Sequence, residues 1–495
     1  MERFNRVIIL LFLMTVCRGV LQYAPTAAFA DEPNAYRLSL DDVTRLALSN
    51  NFDIQIAKYE AWIARTDNAV ATSIYDTLFN AEVEYEKDKS KKTSTILGSK
   101  AVTNDYNVGL SQQLPTGTNI SVDLINNRNW SDSSFTTSPL THESSVGVTV
   151  EQDLGKNFFG IQDRGEIKVT KLEVNNKEYT SLDKIEFMLA RAQKAYWDLA
   201  LAKERVRIEE YMAEQAKRLY DLHQEKLKDG LVEVPEAIAS QVNYEKRKNE
   251  LTLARSEVKT KENVLKLLLN QTAEGAVIEP AQDLSLPERI ETLEVSMKNA
   301  FDNRRDYKSA RNLLKIRDIE LTMKKNNLWP EINVTATLAQ NGLGDHFNDA
   351  VKEVTEETNT DFFAGLTVEI PLLNTKARSQ LKAAQLQKAK DIIGMKLLEK
   401  SIAIEVLDQV RNCNIFREVA ENNIRIAVME EDKLVEEEKR FNVGRSDTDT
   451  VIRFQEDLIQ ARWMAADAKY RYQVSLIDLQ LKEATLLNSY WKEGL

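Results

Sequence analysis

Two different hydrophobic periods occur along this chain. In "FNAEVEYE", residues 79–86, apolar and polar side chains alternate, so an extended chain would carry an apolar face and an acidic face. Elsewhere apolar residues recur at spacings of three and four, which predicts coiled-coil helices. The longest such seam contains Leu182, Ile185, Leu189, Ala192, Tyr196 and Leu199. The chain is therefore predicted to combine a few strands with long helices.

The same pattern occurs twice. The segment that starts at Leu40 aligns without a gap with the segment that starts at Leu293, so that Asn50 falls on Asn303. Further along, the turn at Gly230 aligns with the turn at Gly444. Each half reads as an opening helix, strands, a long helix, a glycine turn and a shorter helix, which indicates an internal repeat.

The repeat divides the chain into three parts after a predicted signal peptide at 1–30. The first repeat, 31–273, has an opening helix 40–75, strands within 78–154, a long helix 166–228, a turn 229–234 and a helix 235–270. A connector at 274–292 joins it to the second repeat, 293–495. That repeat has an opening helix 293–328, strands within 331–371, a long helix 376–441, a turn 442–447 and a helix 448–487.

Six strands are predicted, four in the first repeat and two in the second. Each has about eight to ten residues, enough to cross a bilayer at a tilt. Acidic residues occupy their polar faces, and a water-filled barrel interior would keep such groups ionised. These expected lumen acids are Glu82, Glu84, Glu86, Asp123, Glu151, Asp153 and Glu369. A soluble sheet with one wet face would alternate in the same way. Because six strands enclose little water, we expect several identical chains to share one barrel.

The N-terminus predicts export. Arg3 and Arg6 precede the apolar run "VIILLFLMTV", and small residues follow at 28–30, the pattern of a signal peptide. Cys17 is an alternative lipid-attachment site, although Val16 before it is bulkier than the residue such sites usually have. Without Cys17, Cys413 is the one remaining cysteine, so no intramolecular disulfide is expected. Cys413 falls on an apolar helical stripe, which predicts a buried thiol.

Composition and charge narrow the range of functions that this chain could have. The chain has 16 Gly and 9 Pro in 495 residues with 29% charged residues, as expected of long helices. A net charge of −11 makes nucleic acid an unexpected partner. His142, His223 and His346 are scattered, so we expect solvated surface roles for them and no metal site. With no catalytic motif in view, no cofactor and no enzymatic activity are expected.

The chain resembles the TolC family of outer-membrane efflux and secretion channels. The resemblance rests on "LSLDDVTRLALSNNFDIQIA", "LWPEINVTATL", "VEIPLLNTKARSQLKAAQLQ" and the paired turns "KDGLVEV" and "NVGRSDTDTVIRFQ". It implies a mainly α protein with a membrane β-barrel portion, in which a homotrimer forms a shared barrel and a periplasmic α-helical tunnel. The strands around "LPTGT" are additional to the usual four per chain, so we expect a barrel of about eighteen strands.

The resemblance also implies a location and partners. The protein would span the outer membrane, in contact with its lipid, and extend into the periplasm of a Gram-negative-type cell. It would be the passive exit duct of a tripartite efflux system, joined to a periplasmic adaptor protein and an inner-membrane transporter. A type I protein secretion duct is the alternative within the same class. A soluble periplasmic coiled-coil scaffold is the alternative of another class.

The two glycine turns are the candidate tip. A residue with positive φ ends many helices, which by itself accounts for the glycines. By resemblance, the adaptor would contact Gly230, Leu231, Val232, Gly444, Arg445 and Ser446. The nearby acids Glu233, Glu236, Asp447 and Asp449 are candidates for a gate, because like charges repeated around the narrow end would repel. Helix capping is the alternative role, and we expect it for at least one of them.

Overall fold

The computed structural model describes residues 35–91, 96, 98–133, 135, 138–271, 277–287, 292–356, 359–488 and 490. The predicted signal peptide and Cys17 lie outside the described residues. Nine α-helices are present in the described part: α1 Leu40–Asn50, α2 Phe52–Thr72, α3 Ile161–Lys228, α4 Val234–Leu268, α5 Leu293–Asn303, α6 Arg305–Asn326, α7 Phe347–Glu356, α8 Thr375–Asn442 and α9 Thr448–Glu483. Two of them, α3 and α8, have 68 residues each, which corresponds to about 100 Å.

The predicted opening helices 40–75 and 293–328 are wrong as single helices. Each is broken into two, at Asn51 in the first repeat and at Arg304 in the second, where ψ is 126° and 125°. The Asn51 side chain accepts a hydrogen bond from Ile54 N at 3.1 Å, which caps α2, and donates one to Leu268 O at 2.8 Å. These two breaks fall at aligned positions of the repeat, so both halves bend in the same place.

The long helices pack along the predicted seam. Ile185, Leu189, Tyr196 and Leu199 are fully buried, and they belong to a core shared by α1, α2, α3 and α4. The helix α3 begins five residues earlier than expected, at Ile161, directly after a short irregular turn. The Cys413 thiol on α8 is buried as predicted, and Sγ lies 3.3 Å from Ser475 O. Burial raises the pKa of this thiol.

The connector contributes one strand of a pair that periodicity did not indicate. Strand β6, Val277–Pro280, pairs in parallel with β1, Ala35–Leu38. Ile278 is fully buried, and Gln282 N donates a hydrogen bond to the Tyr196 hydroxyl at 3.1 Å. The link between the two repeats is therefore fastened to α3 on one side and to the start of the first repeat on the other.

The six predicted strands form one antiparallel sheet. They are β2 Leu78–Asp88, β3 Ala101–Gln113, β4 Thr118–Ser131, β5 Leu140–Asp153, β7 Glu331–Gly344 and β8 Thr360–Glu369, in the order β2-β3-β4-β5-β7-β8. The additional pair, β3 and β4, lies inside the sheet. At the end of the sheet away from the helices, α7 lies within the connection from β7 to β8.

Candidate channel wall and tip

The sheet has one acidic face. Glu82 lies opposite Asn107, Asp123 opposite Gly109, and Glu151 opposite Asn119 in the strand pairing. Paired residues of an antiparallel ladder project to the same side, so this register can be followed from β2 to β8. It brings every predicted lumen acid to a single face: Glu82, Glu84, Glu86, Asp123, Glu151, Asp153 and Glu369.

Five further acids belong to the same face, and sequence analysis missed them. They are Asp88, Asp105, Glu143, Glu331 and Asp361. Asp105 lies opposite Glu84, and Glu331 lies opposite Glu369. Asp105 alternates in phase with Asn107 and Gly109 along β3, so the period of two could have revealed it. Most of the acids lack a cationic partner among the described residues. An exception is Glu331, whose Oε2 lies 3.6 Å from Lys156 Nζ. The face thus concentrates negative charge that only water or mobile cations can compensate.

The opposite face is apolar and exposed. Val83 is 76% exposed and Phe362 is 69% exposed, and the same face continues through Leu110, Val122 and Val148. An exposed apolar area this broad is unusual for a protein surrounded by water. Towards the end away from the helices this face becomes polar, at Asn126, Arg128 and His142.

The two edge strands are open. Strands β2 and β8 each pair on one side only, and nearly all of their residues are exposed. An edge strand presents unpaired N–H and C=O groups that can pair with another chain. Because the sheet has an even number of strands, β2 and β8 run in opposite directions, so β8 of one copy can pair antiparallel with β2 of the next.

Both glycine turns have the same geometry. Gly230 and Gly444 have φ of 67° and 75°. Leu231 N donates to Lys226 O at 2.9 Å, and Arg445 N donates to Arg440 O, also at 2.9 Å. This is the Schellman arrangement, which satisfies the last carbonyl groups of a helix and reverses the chain. An added Cβ would meet no atom within 4 Å at either glycine, so both turns face open space.

The tip acids have different environments. Asp447 caps α9, since its Oδ1 accepts from Thr450 N at 2.7 Å. That hydrogen bond holds the pKa of the Asp447 carboxyl below its usual value. Asp449 and Glu236 lie in the first turns of α9 and α4, and Glu233 occupies the N-cap position of α4 without a capping bond from its side chain. A capping role therefore explains Asp447. No side-chain capping bond occupies Glu233, Glu236 or Asp449, so these three remain candidates for the gate.

A second acid, Glu437, holds the turn after α8 in place. Its carboxylate accepts hydrogen bonds from Ser446 Oγ and from Arg440 Nη1, and the side chain is buried. Ser446, predicted as a docking residue, is therefore partly engaged inside its own turn. The predicted docking residue Leu231 is 73% exposed, and Val443 at the end of α8 is 68% exposed, so both turns contribute apolar surface at this end.

The expectation of a surface role for His223 is wrong. The side chain is buried between the ends of two helix pairs, with Nδ1 2.8 Å from Leu219 O and Nε2 2.9 Å from Thr448 Oγ1. The ring stacks on Phe441 with 5.9 Å between centroids. His223 continues the spacing of Met212, Ala216 and Leu219 along α3, which could have revealed its burial. His346 is exposed and His142 is half-buried, and within the described residues no cluster of potential ligands could hold a metal ion.

Solved structures share this architecture. The chain is similar to CusC, with 14% identity and a TM-score of 0.67, over 93% of this chain and 96% of that one. It is similar to the Campylobacter jejuni outer-membrane channel CmeC, with 15% identity, a TM-score of 0.65 and coverage of 94% and 91%. The chain has the fold of these outer-membrane channels. The open state of the Neisseria gonorrhoeae channel MtrE matches over 95% of this chain and 99% of that one, at 14% identity and a TM-score of 0.65.

This channel fold confirms the fold class that the resemblance to the TolC family implied. No protein-family profile matches the chain, and no curated protein sequence matches it. Among the helices of the described part, none combines the length and the apolar character needed to cross a membrane.

Proposed function

We propose that three copies of this chain form an outer-membrane efflux duct. The six-stranded sheets would close into one barrel of about eighteen strands, which is wide enough for an aqueous channel. The helices would form a periplasmic tunnel, and the duct would be the passive exit of a tripartite efflux system. The single observation that carries the proposal is the strand register, which collects the acids on one face and the apolar side chains on the other.

The open edges support closure by identical copies. A lone sheet with this apolar face would expose β2 and β8 to aggregation, whereas pairing β8 with a neighbouring β2 removes every edge. Closed cyclic symmetry follows because each copy offers one edge of each kind. Lipid would cover the apolar face, and water would fill the barrel along the acidic face. Each face would then contact the solvent that suits its side chains.

The tip is proposed as the site of docking and gating. Leu231 and the neighbouring Val232 and Gly230, with Gly444, Arg445 and Ser446, would contact a periplasmic adaptor that couples the duct to an inner-membrane transporter. Around the threefold axis, Glu233, Glu236 and Asp449 would repeat three times and repel one another, while Asp447 keeps its capping bond. Replacing Leu231 with a photo-crosslinking residue in the native host should trap an adaptor. The equally exposed Leu253, in the middle of α4, provides the matched control and should trap none.

Conductance tests the duct. The mature protein, purified in detergent and shown to be trimeric by chemical cross-linking, should insert into planar bilayers and conduct cations in preference to anions. The double variant Glu82→Gln and Glu84→Gln should lose part of this preference. Asp349→Asn with Glu356→Gln removes the same charge from α7 and should leave the preference unchanged. Extraction of the native protein without detergent, or folded trimers that never insert into the bilayer, would reject the proposal in favour of a periplasmic scaffold.

A further inference from the structure

Helix α7 lies on the apolar face of the sheet, beside its outer end. Gly342 and Gly344 on β7 make this approach possible, since a Cβ on Gly344 would lie 2.8 Å from Ala350 N. Ala350 and Val354 are buried against the strands, and Leu343 N donates to Glu353 Oε2 at 2.8 Å. The helix is amphipathic, with its apolar side towards the sheet, as expected of a helix that covers part of an apolar surface.

A cavity of about 540 Å³ remains between α7 and strands β3, β4 and β5, and we call it the rim pocket. Its size is within the range of ligand sites. Most of its lining is apolar and comes from Tyr106, Val108, Leu124 and Val146 on the strands and from Phe347, Val351 and Val354 on α7. Several of these side chains are half-exposed, so the pocket opens along the apolar face.

The rim pocket is polar at one end only. Along β4 the lining changes from Leu124 through Asn126 to Arg128, in the direction away from the helices. Arg128 has no ion-pair partner among the described residues. Two residues beyond Arg128 along β4, the ring of Trp130 has its centre 4.7 Å from Lys100 Nζ. An aromatic and basic border above an apolar band is the arrangement that membrane proteins present to lipid headgroups.

Three acids near this end are already engaged. Asp132 accepts hydrogen bonds from the backbone N–H groups of Ser99 and Lys100, at 2.7 and 2.9 Å. Glu353 accepts from Leu343 N, and Lys352 pairs with Glu356 at 3.4 Å. The positive charge of Arg128 is therefore available to a ligand that carries an anion next to an apolar segment.

We propose that the rim pocket binds a phosphate-bearing membrane lipid, with an acyl chain against Leu124 and Val146 and the phosphate on Arg128. The inference rests on the proposed placement of the sheet in the outer membrane. A peptide fits less well, because β3, β4 and β5 are paired on both sides and offer no edge for strand addition. A charge-assisted hydrogen bond from Arg128 to phosphate would add specificity for phosphate-bearing headgroups.

Native mass spectrometry of the detergent-purified trimer tests the proposal. Dimyristoyl phosphatidylglycerol should be retained about tenfold better than dimyristoylglycerol, which has the same chains and no phosphate, because it gains one hydrogen bond to a charged group. Arg128→Gln should abolish this preference, Leu124→Trp should fill the pocket and reduce retention of both lipids, and Lys352→Gln on the outer side of α7 should change neither. Excess inorganic phosphate should not displace the lipid.

Each contrary outcome has a definite meaning. Equal retention of the two lipids, or retention that neither Arg128→Gln nor Leu124→Trp alters, would overturn the proposal. Displacement by inorganic phosphate with no effect of Leu124→Trp would reduce the site to an anion site and also overturn it. Planar-bilayer measurements on the same preparations distinguish failure of the rim-pocket proposal from failure of the proposed duct. Trimers that insert into the bilayer but retain no lipid contradict the rim pocket alone, and trimers that do not insert contradict the proposed duct.

Discussion

The ring of His223 and the hydroxyl of Thr448 meet at the tip, with Nε2 2.9 Å from Oγ1. His223 lies near the end of α3 and Thr448 is the first residue of α9, so this hydrogen bond joins the first repeat to the second. Both side chains are buried. Any movement that separates the two helix pairs at the tip must break it and leave buried polar atoms without partners.

Thr448→Val tests this link. The variant keeps the shape of the side chain and leaves His223 Nε2 without its partner, which should cost about 1–3 kcal/mol. We expect the free energy of unfolding to fall and the tip to open more often, measured as faster trypsin cleavage near Lys226 and Lys228. Thr252→Val is the control, because that exposed hydroxyl bonds only Lys248 O of its own helix. Equal cleavage rates in the two variants would show that the link does not hold the tip.

The buried pair of Glu186 and Arg305 provides a second prediction. Both side chains are buried, Arg305 also bonds Asp183 at 3.1 Å, and Glu186 accepts from Leu487 N at 3.0 Å. Arg305→Met would leave the Glu186 charge uncompensated and should cost about 3–5 kcal/mol.

The control for this pair is Lys177→Met, which removes an exposed bridge to Asp67 and should cost less than about 1 kcal/mol. Chemical denaturation of the two variants in detergent measures both values. If Arg305→Met costs no more than Lys177→Met, the pair does not anchor the C-terminal segment.

Gly444→Ala and Gly394→Ala should have opposite effects. Neither added methyl group meets an atom within 4 Å, so conformation decides the sign. At Gly444, φ of 75° is unfavourable for alanine, which should destabilise the protein by about 1–2 kcal/mol. Gly394 lies inside α8, where alanine should stabilise by up to about 1 kcal/mol. Thermal unfolding of the two variants gives the comparison, and stabilisation by Gly444→Ala would contradict the turn geometry.

Glu405 should make stability depend on pH. Burial raises the pKa of this carboxyl, but hydrogen bonds from Lys482 and Arg304, at 3.0 and 3.1 Å, outweigh burial and bring the pKa below its usual value. A lowered pKa in the folded state contributes stability above the ordinary pKa of glutamate, and this contribution is lost as the pH falls through the lowered value.

Glu405→Gln should therefore lower the free energy of unfolding by about 1–3 kcal/mol at pH 7. Because the variant has no carboxyl group at this position, the contribution of residue 405 to its stability should change little as the pH falls. Denaturation curves of wild type and variant at pH 7 and under acidic conditions provide the measurement. A difference that is the same at every pH would assign the effect to packing instead of charge.

Local periodicity was sufficient for much of the fold. The seam from Leu182 to Leu199, the six strands and the positive φ of Gly230 and Gly444 follow from spacing and residue type, because each depends on neighbours a few positions away. The acidic face follows for the same reason, since a period of two places Glu82, Glu84 and Glu86 on one side of a strand. The repeat also predicted that the two halves would share a plan, and their helices break at aligned positions.

Contacts between distant parts of the chain decided the remainder. Asn51 ends α1 while bonding a carbonyl 217 positions away, and His223 is buried because Thr448 and Phe441 cover it. The amphipathic pattern of α7 is too short to predict a helix from the sequence. Its position on β5 and β7 depends on Gly342 and Gly344, where a side chain would collide with the helix. Sequence determined which residues are apolar, charged or flexible at each position. Tertiary structure alone decided which polar groups lose water, because burial is a property of the assembled helices and sheet.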